Sequence, residues 1–140
     1  MNIDWVIPCR YAEVHDNLGT IVGAGSDTWW VPEFPAGIEV ALAIRLLAMA
    51  DELGEDRQHT VRNIVSGPSG EVLSDLESSF AAAGPDVRTE WLNGIIVTMV
   101  VQFEAVAAGT YTFEHLVDGS SRSIPLHVAS GPRPDLGGLG

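Results

Sequence analysis

The sequence predicts an all-β protein built as two packed antiparallel sheets, and three observations carry that expectation. Apolar and polar residues alternate in run after run, most clearly where Ile95, Val97, Met99, Val101 and Phe103 interleave with Thr98, Gln102 and Glu104, and a period of two marks a strand with one buried face. Turn-forming pairs such as Asp16-Asn17 and Asp118-Gly119 separate the runs, and Asx side chains and glycine favour tight reversals. Gly109-Thr110-Tyr111 opens the last hairpin. In immunoglobulin-like sandwiches, a tyrosine at that place ties the penultimate strand to the preceding corner through its hydroxyl.

The elements follow in order. Two strand-like runs, "WVIPCRYAEVH" and "GTIVGAGSDTWWV", make a first hairpin across Asp16 to Gly19. Residues 32 to 37 hold two prolines and a glycine, which interrupt pairing and suit a crossing from one sheet to the other. Over residues 38 to 50, alanine and leucine favour helix, but Ile38, Val40, Leu42, Ile44 and Leu46 alternate and point to a strand. After the charged turn "DELGEDR", the runs "QHTVRNIVS" and "EVLSDLESSF" flank a reversal at Gly67 to Gly70. Ala81 to Trp91 reads as a loop with room for one helical turn. Ile95 to Phe103 and Tyr111 to Val117 are the next strands, and Ile124, Leu126 and Val128 return inward on the last one. Pro125 lacks a donor and assigns that last strand to an edge. About eight strands are expected in all. Residues 1–130 form one sandwich domain, and residues 131–140, rich in glycine and proline, form a flexible C-terminal tail.

Composition narrows the function. A chain of 140 residues suits one domain. Its 19 Asp and Glu outnumber 7 Lys and Arg, a net charge of −12, which repels phosphate backbones and argues against nucleic acid as a partner. The single cysteine, Cys9, excludes an internal disulfide, and the N-terminus lacks the basic and apolar pattern of a secretory signal. No apolar run is long enough for a membrane-spanning helix. A soluble cytoplasmic protein without membrane partners is the resulting expectation.

The segments "YAEVHDNLGTIVGAG", "VPEFPAG", "RQHTVRNIVSGPSGEV" and "GTYTFEHLVDG" together resemble a family of small bacterial proteins of unknown function predicted to be immunoglobulin-like β-sandwiches. The resemblance spans residues 4 to 129. It implies a fold and no activity, because its motifs are turns and corners.

Catalytic and metal chemistry find little support in the residues. Gly23 to Thr28 is rich in glycine, but it leads into Trp29-Trp30-Val31 and the chain has no lysine, so it reads as a bend in a strand and not as a phosphate loop. His15, His59, His115 and His127 are scattered. Glu13 and His15 share a strand face and are the best local ligand pair, without the close spacing of a metal motif. Cys9 precedes Arg10 but reads as a small buried hydrophobe. No Gly-x-Ser-x-Gly elbow and no distinct acid and base pair occur. No catalytic residue, metal or cofactor is assigned.

The site expected from the sequence is "TWWVPEFP". Neighbouring strand residues face opposite ways, so Trp29 and Trp30 cannot both enter one core. The outward one, with Phe34 and the prolines, has the composition of a protein-binding hot spot or a sugar-stacking platform. The expected function is a non-catalytic module for protein assembly or binding, a homo-oligomer or a structural or accessory component of a bacterial or phage particle. The alternatives are a carbohydrate-binding sandwich or a metal-dependent enzyme.

Overall fold

In the computed structural model, residues 1–25, 27–82 and 87–134 are described. Ten strands follow one another: β1 (Asn2–Cys9), β2 (Tyr11–His15), β3 (Leu18–Val22), β4 (Thr28–Val31), β5 (Ala36–Ala48), β6 (Gln58–Ser66), β7 (Val72–Ala81), β8 (Asn93–Ala105), β9 (Gly109–Val117) and β10 (Ser120–Ser130). They form a three-stranded sheet ordered β1-β5-β8, a five-stranded sheet ordered β4-β10-β9-β6-β7, and the two-stranded hairpin β2-β3. The chain is all-β and sandwich-like, and the five-stranded sheet is curled into a half-barrel.

Of residues 38–50, those up to Ala48 settle as strand and Ala50 opens the 3-10 turn Ala50–Glu52. Ile38, Val40, Leu42, Ile44 and Leu46 all point into the core, and β5 pairs along its length with β8, from Ala36 opposite Ala105 to Ala48 opposite Asn93. Burial of each large side chain contributes on the order of 1.5–3 kcal/mol, which outweighs the helix preference of alanine and leucine, a few tenths of a kcal/mol per residue. The facing sheet supplies Val61, Val65, Tyr111, Phe113, Val117, Leu126 and Val128. Phe103 of β8 meets Phe113 edge-on, their ring centres 5.7 Å apart, an arrangement that the ring quadrupoles favour.

The tyrosine of the last hairpin does what its position suggests. Tyr111 is buried, and its hydroxyl donates to the Ala107 carbonyl at 2.8 Å. The crossing at residues 32 to 37 also holds: it carries the chain from β4 in the five-stranded sheet to β5 in the three-stranded one.

Five details depart from expectation. Among the described residues there are ten strands and not about eight, because the first two runs each divide in two. The pairing is not wholly antiparallel, since β4 runs parallel to β10, with Trp29 opposite Val128. The first reversal is shorter than expected: Asp16 and Asn17 alone turn the chain, both with positive φ (50° and 58°), while Leu18 and Gly19 already belong to β3. That conformation is the one a two-residue hairpin turn requires. Pro125 does not make β10 an edge, because β10 lies between β4 and β9. β4 pairs only with His127 to Ser130, so the missing donor of Pro125 lies beyond the β4 ladder. Finally, the charged turn contains a short 3-10 turn, Ala50–Glu52, whereas the described part of the 81–91 loop has no helical turn; residues 83–86 lie outside the described residues.

The β2-β3 hairpin adds a third layer. It folds back over the outer face of the three-stranded sheet, so that Cys9, Ala41 and Ala43 on that face are buried as well. The side chain of Asn17 fixes its tip, donating to the Gly94 carbonyl at 2.7 Å and accepting from the Ile96 amide at 3.1 Å. Those two backbone groups of β8 are thereby satisfied without a neighbouring strand.

Candidate functional site

Alternation along β4 separates the two tryptophans. Trp29 and Val31 face the core, Trp29 being only 3% exposed, and Trp30 faces outward and is half-buried. Phe34 is partly buried and packs against the core. Of the three residues expected to bind, Trp30 alone lines an open groove. Its companions there are Val31, Pro32, Gly131, Pro132 and Arg133, around a volume of about 440 Å³. The start of the expected C-terminal tail is therefore docked, and the Gly131 amide donates to the Val31 carbonyl at 2.9 Å. Residues 135–140 of that tail lie outside the described residues.

Arg133 lines this groove, while Arg10 lies against the other tryptophan. The Arg10 guanidinium lies 4.1 Å from the centre of the Trp29 ring, a cation-π contact that holds it in place. Gly23, with φ +71°, allows this: a Cβ there would stand 2.6 Å from Arg10 Cγ. Partial burial, and then the like charge of Arg133, push the Arg10 pKa below its ordinary value. Among the described residues neither arginine has an ion pair, whereas Arg45 pairs with Asp4 and Arg62 with Asp75.

A second surface lies on the hairpin. With Ala12 paired to Ile21 and Val14 to Gly19, the sheet-facing side is half-buried at Ala12, Val14 and Ile21, and Gly19 abuts Ile96. The other side shows Tyr11, Leu18 and Val22 to solvent, at 52%, 73% and 53% exposure. Glu13 lies among them. It accepts from the Tyr11 hydroxyl at 2.8 Å and stands 3.8 Å from His15 Nε2.

The histidines do not converge, and among the described residues no group of three or more His, Cys, Asp or Glu could hold a metal. His59 bridges the 3-10 turn and the β9-β10 turn, with Nε2 2.5 Å from the Glu52 carbonyl and Nδ1 2.8 Å from the Asp118 carboxylate. Burial opposes its charge, but these two acceptors outweigh that effect and raise its pKa. His115 is fully buried opposite Asn63, and desolvation lowers its pKa to about 4. The Asn63 amide donates to His115 Nδ1 at 2.9 Å, which places the proton of the neutral ring on Nε2. His127 pairs with the Thr110 hydroxyl at 2.9 Å. Cys9 is buried, its thiol directed at the Ala41 carbonyl and its pKa raised first by desolvation. Gly23 to Thr28 leads into β4 and not into a helix; Ser26 of that loop lies outside the described residues.

No family model and no curated protein matches the chain. Among the described residues, no helix is long and apolar enough to cross a membrane. What the geometry offers is two surfaces, a hairpin face with three exposed large apolar side chains and an aromatic groove lined by Arg133. Sequence reasoning found Trp30 but missed both arginines and the hairpin face. The exposed triad had a signal, since Tyr11, Leu18 and Val22 take the same parity once the turn is set at Asp16-Asn17. Arg133 had none, because only the docking of residues 131–133 brings it to Trp30.

Proposed function

We propose that the protein is a non-catalytic β-sandwich module for protein assembly, one that associates with further copies of itself as a structural or accessory component of a larger particle. The observation that carries this reading is the outer face of the hairpin, where the paired Tyr11 and Val22 stand in solvent at one end and Leu18 at the other, with Glu13 and Thr20 between them. Several large exposed apolar side chains on one face suit an interaction surface, and a tyrosine among them fits a hot spot. At −12 the chain resists nonspecific clustering, so association needs a specific patch of this kind.

An immunoglobulin-like assignment suits the same reading. The neighbours β10-β9-β6-β7 follow the G-F-C-C′ order of a variable-type domain, and Tyr111 makes the corner bond. Phe113 stands two residues after that tyrosine, where antibody domains carry a disulfide cysteine.

Sedimentation over a range of protein and salt concentrations tests the proposal. The wild-type chain should associate more strongly as salt screens its self-repulsion, and Leu18→Glu should be monomeric with an unchanged fold. A wild-type chain that stays monomeric at high protein and high salt concentration rules out self-assembly.

A further inference from the structure

We infer that two copies of the chain join along the open edge of β8, antiparallel and with Val101 opposite its own equivalent, so that their three-stranded sheets merge into one. This rests on the self-association reading and specifies its contact.

The strand edges of the molecule are guarded unequally. An edge left open is a template for another chain, and folds blunt it with short strands, charges, prolines or bulges. β2, β3 and β4 are short, at 5, 5 and 4 residues. β1 carries Pro8 and a bulge between Ile3 and Trp5, and side chains of Ser120 and Arg122 take its Ile3 amide and Asp4 carbonyl. β7 carries Asp75 and Glu77. β8 lacks these devices along most of its length. Its 13 residues pair with β5 without a register shift, include no proline, and hold a single charge, Glu104, near the end.

Backbone direction defines the open stretch. Asn17 meets the Gly94 carbonyl and the Ile96 amide on the side away from β5. Alternate residues of an unbroken ladder point the same way, so Thr98, Val100, Gln102 and Glu104 also direct their N–H and C=O groups to that side. Among the described residues none of these backbone groups has a partner. The stretch is bounded by Asn17 at Ile96 and by the end of β8 at Ala105. A two-fold axis at Val101 uses all of it: Thr98 faces Glu104 of the second copy, Val100 faces Gln102, and each pair exchanges both backbone bonds.

Charge selects the direction. Parallel strands in register would set Glu104 beside Glu104, a repulsive contact in a chain at −12, whereas the antiparallel register sets it opposite the neutral Thr98. The same register carries the exposed Val106 towards Ile96 of the second copy. Asn17 bonds to Ile96 and Gly19 lies against it, so the hairpin tip with Leu18 flanks this contact and Leu18→Glu disturbs it.

Sedimentation and amide hydrogen exchange of the full chain test the contact. In concentrated solution at high salt, the amides of Thr98, Val100, Gln102 and Glu104 should exchange at least roughly 10-fold more slowly than in dilute solution. Thr98→Glu should raise the dimer Kd roughly 10-fold, because the like-charged pair occurs twice in a symmetric dimer, and adding Glu104→Arg should restore it. Both side chains are exposed, so Tm should hold in each variant. The two positions stand about 20 Å apart along one strand, and rescue must therefore come from the second copy. A wild-type chain that stays monomeric at high protein and high salt concentration overturns self-association and this contact together. Association in which the four amides exchange as fast as in dilute solution, Thr98→Glu leaves Kd unchanged, or Glu104→Arg fails to rescue overturns the β8 contact alone and leaves the assembly reading standing.

Discussion

The two tyrosines of the chain each stand near the head of an alternating strand, yet they end in opposite places. Tyr111 on β9 is 1% exposed and bonded to the Ala107 carbonyl, whereas Tyr11 on β2 is 52% exposed and reaches only the neighbouring Glu13. Phe113, His115 and Val117 follow Tyr111 into the core, while Leu18 and Val22 join Tyr11 in solvent. Period two assigns residues to faces but does not say what will cover each face. β9 has the three-stranded sheet opposite its inner face. The β2-β3 hairpin is the outermost layer, so only its sheet-facing side is covered.

The largest contrast is expected from truncating one side chain in each region. Phe113→Ala should destabilise the fold by about 3–5 kcal/mol, the range for a buried aromatic, while Leu18→Ala should stay within about 0.5 kcal/mol. Denaturant midpoints measure both. Comparable losses would mean that the outer face of the hairpin is covered in the folded chain, and the contrast would fail.

Next in size is the acid response of the β9 interior. His115 is neutral when folded, with a pKa of about 4 against an ordinary 6.5. Above 6.5 neither state is charged and the residue contributes no pH dependence. As pH falls from 6.5 towards 4, the unfolded chain takes up a proton that the folded chain refuses, so stability drops by about 3 kcal/mol and levels off below. His115→Gln, which keeps a partner for Asn63, should flatten that part of the stability profile. An unchanged acid slope would place the titration elsewhere.

His59 sharpens the comparison with an opposite sign. Its pKa is raised, so its bridge between the Glu52 carbonyl and Asp118 stabilises the fold fully below the ordinary value of 6.5 and is lost as pH rises through the folded value. His59→Gln should cost on the order of 1–2 kcal/mol at pH 5 and less at pH 8. Equal losses at both would show that the ring does not titrate between these two pH values.

The smallest effect separates the two hydroxyls. Tyr111→Phe should cost about 1 kcal/mol, the usual net value of one hydrogen bond, and Tyr11→Phe nothing measurable, because its partner is solvated. A neutral Tyr111→Phe would remove the corner bond from the account of stability.

Local signals were enough to mark the strand-forming runs and most turns, but not the breaks that divide each of the first two runs into two strands. Asp16-Asn17 tolerates positive φ, the alternation of Ile38 to Leu46 overrides helix propensity, and Tyr111 announces its own corner. Each of these is decided within a few residues, by sterics and by the two-residue repeat. Alternation also required one tryptophan of the pair to turn outward, but not which one. Only the parallel pairing that sets Trp29 beside Val128 made Trp29 the inward one. The same long-range packing folded the hairpin into an outer layer, enclosed β10 between two neighbours despite Pro125, and docked Arg133 at Trp30. Such outcomes depend on which distant surfaces meet, and burial and the desolvation of His115 follow from that meeting, not from the neighbours of each residue along the chain.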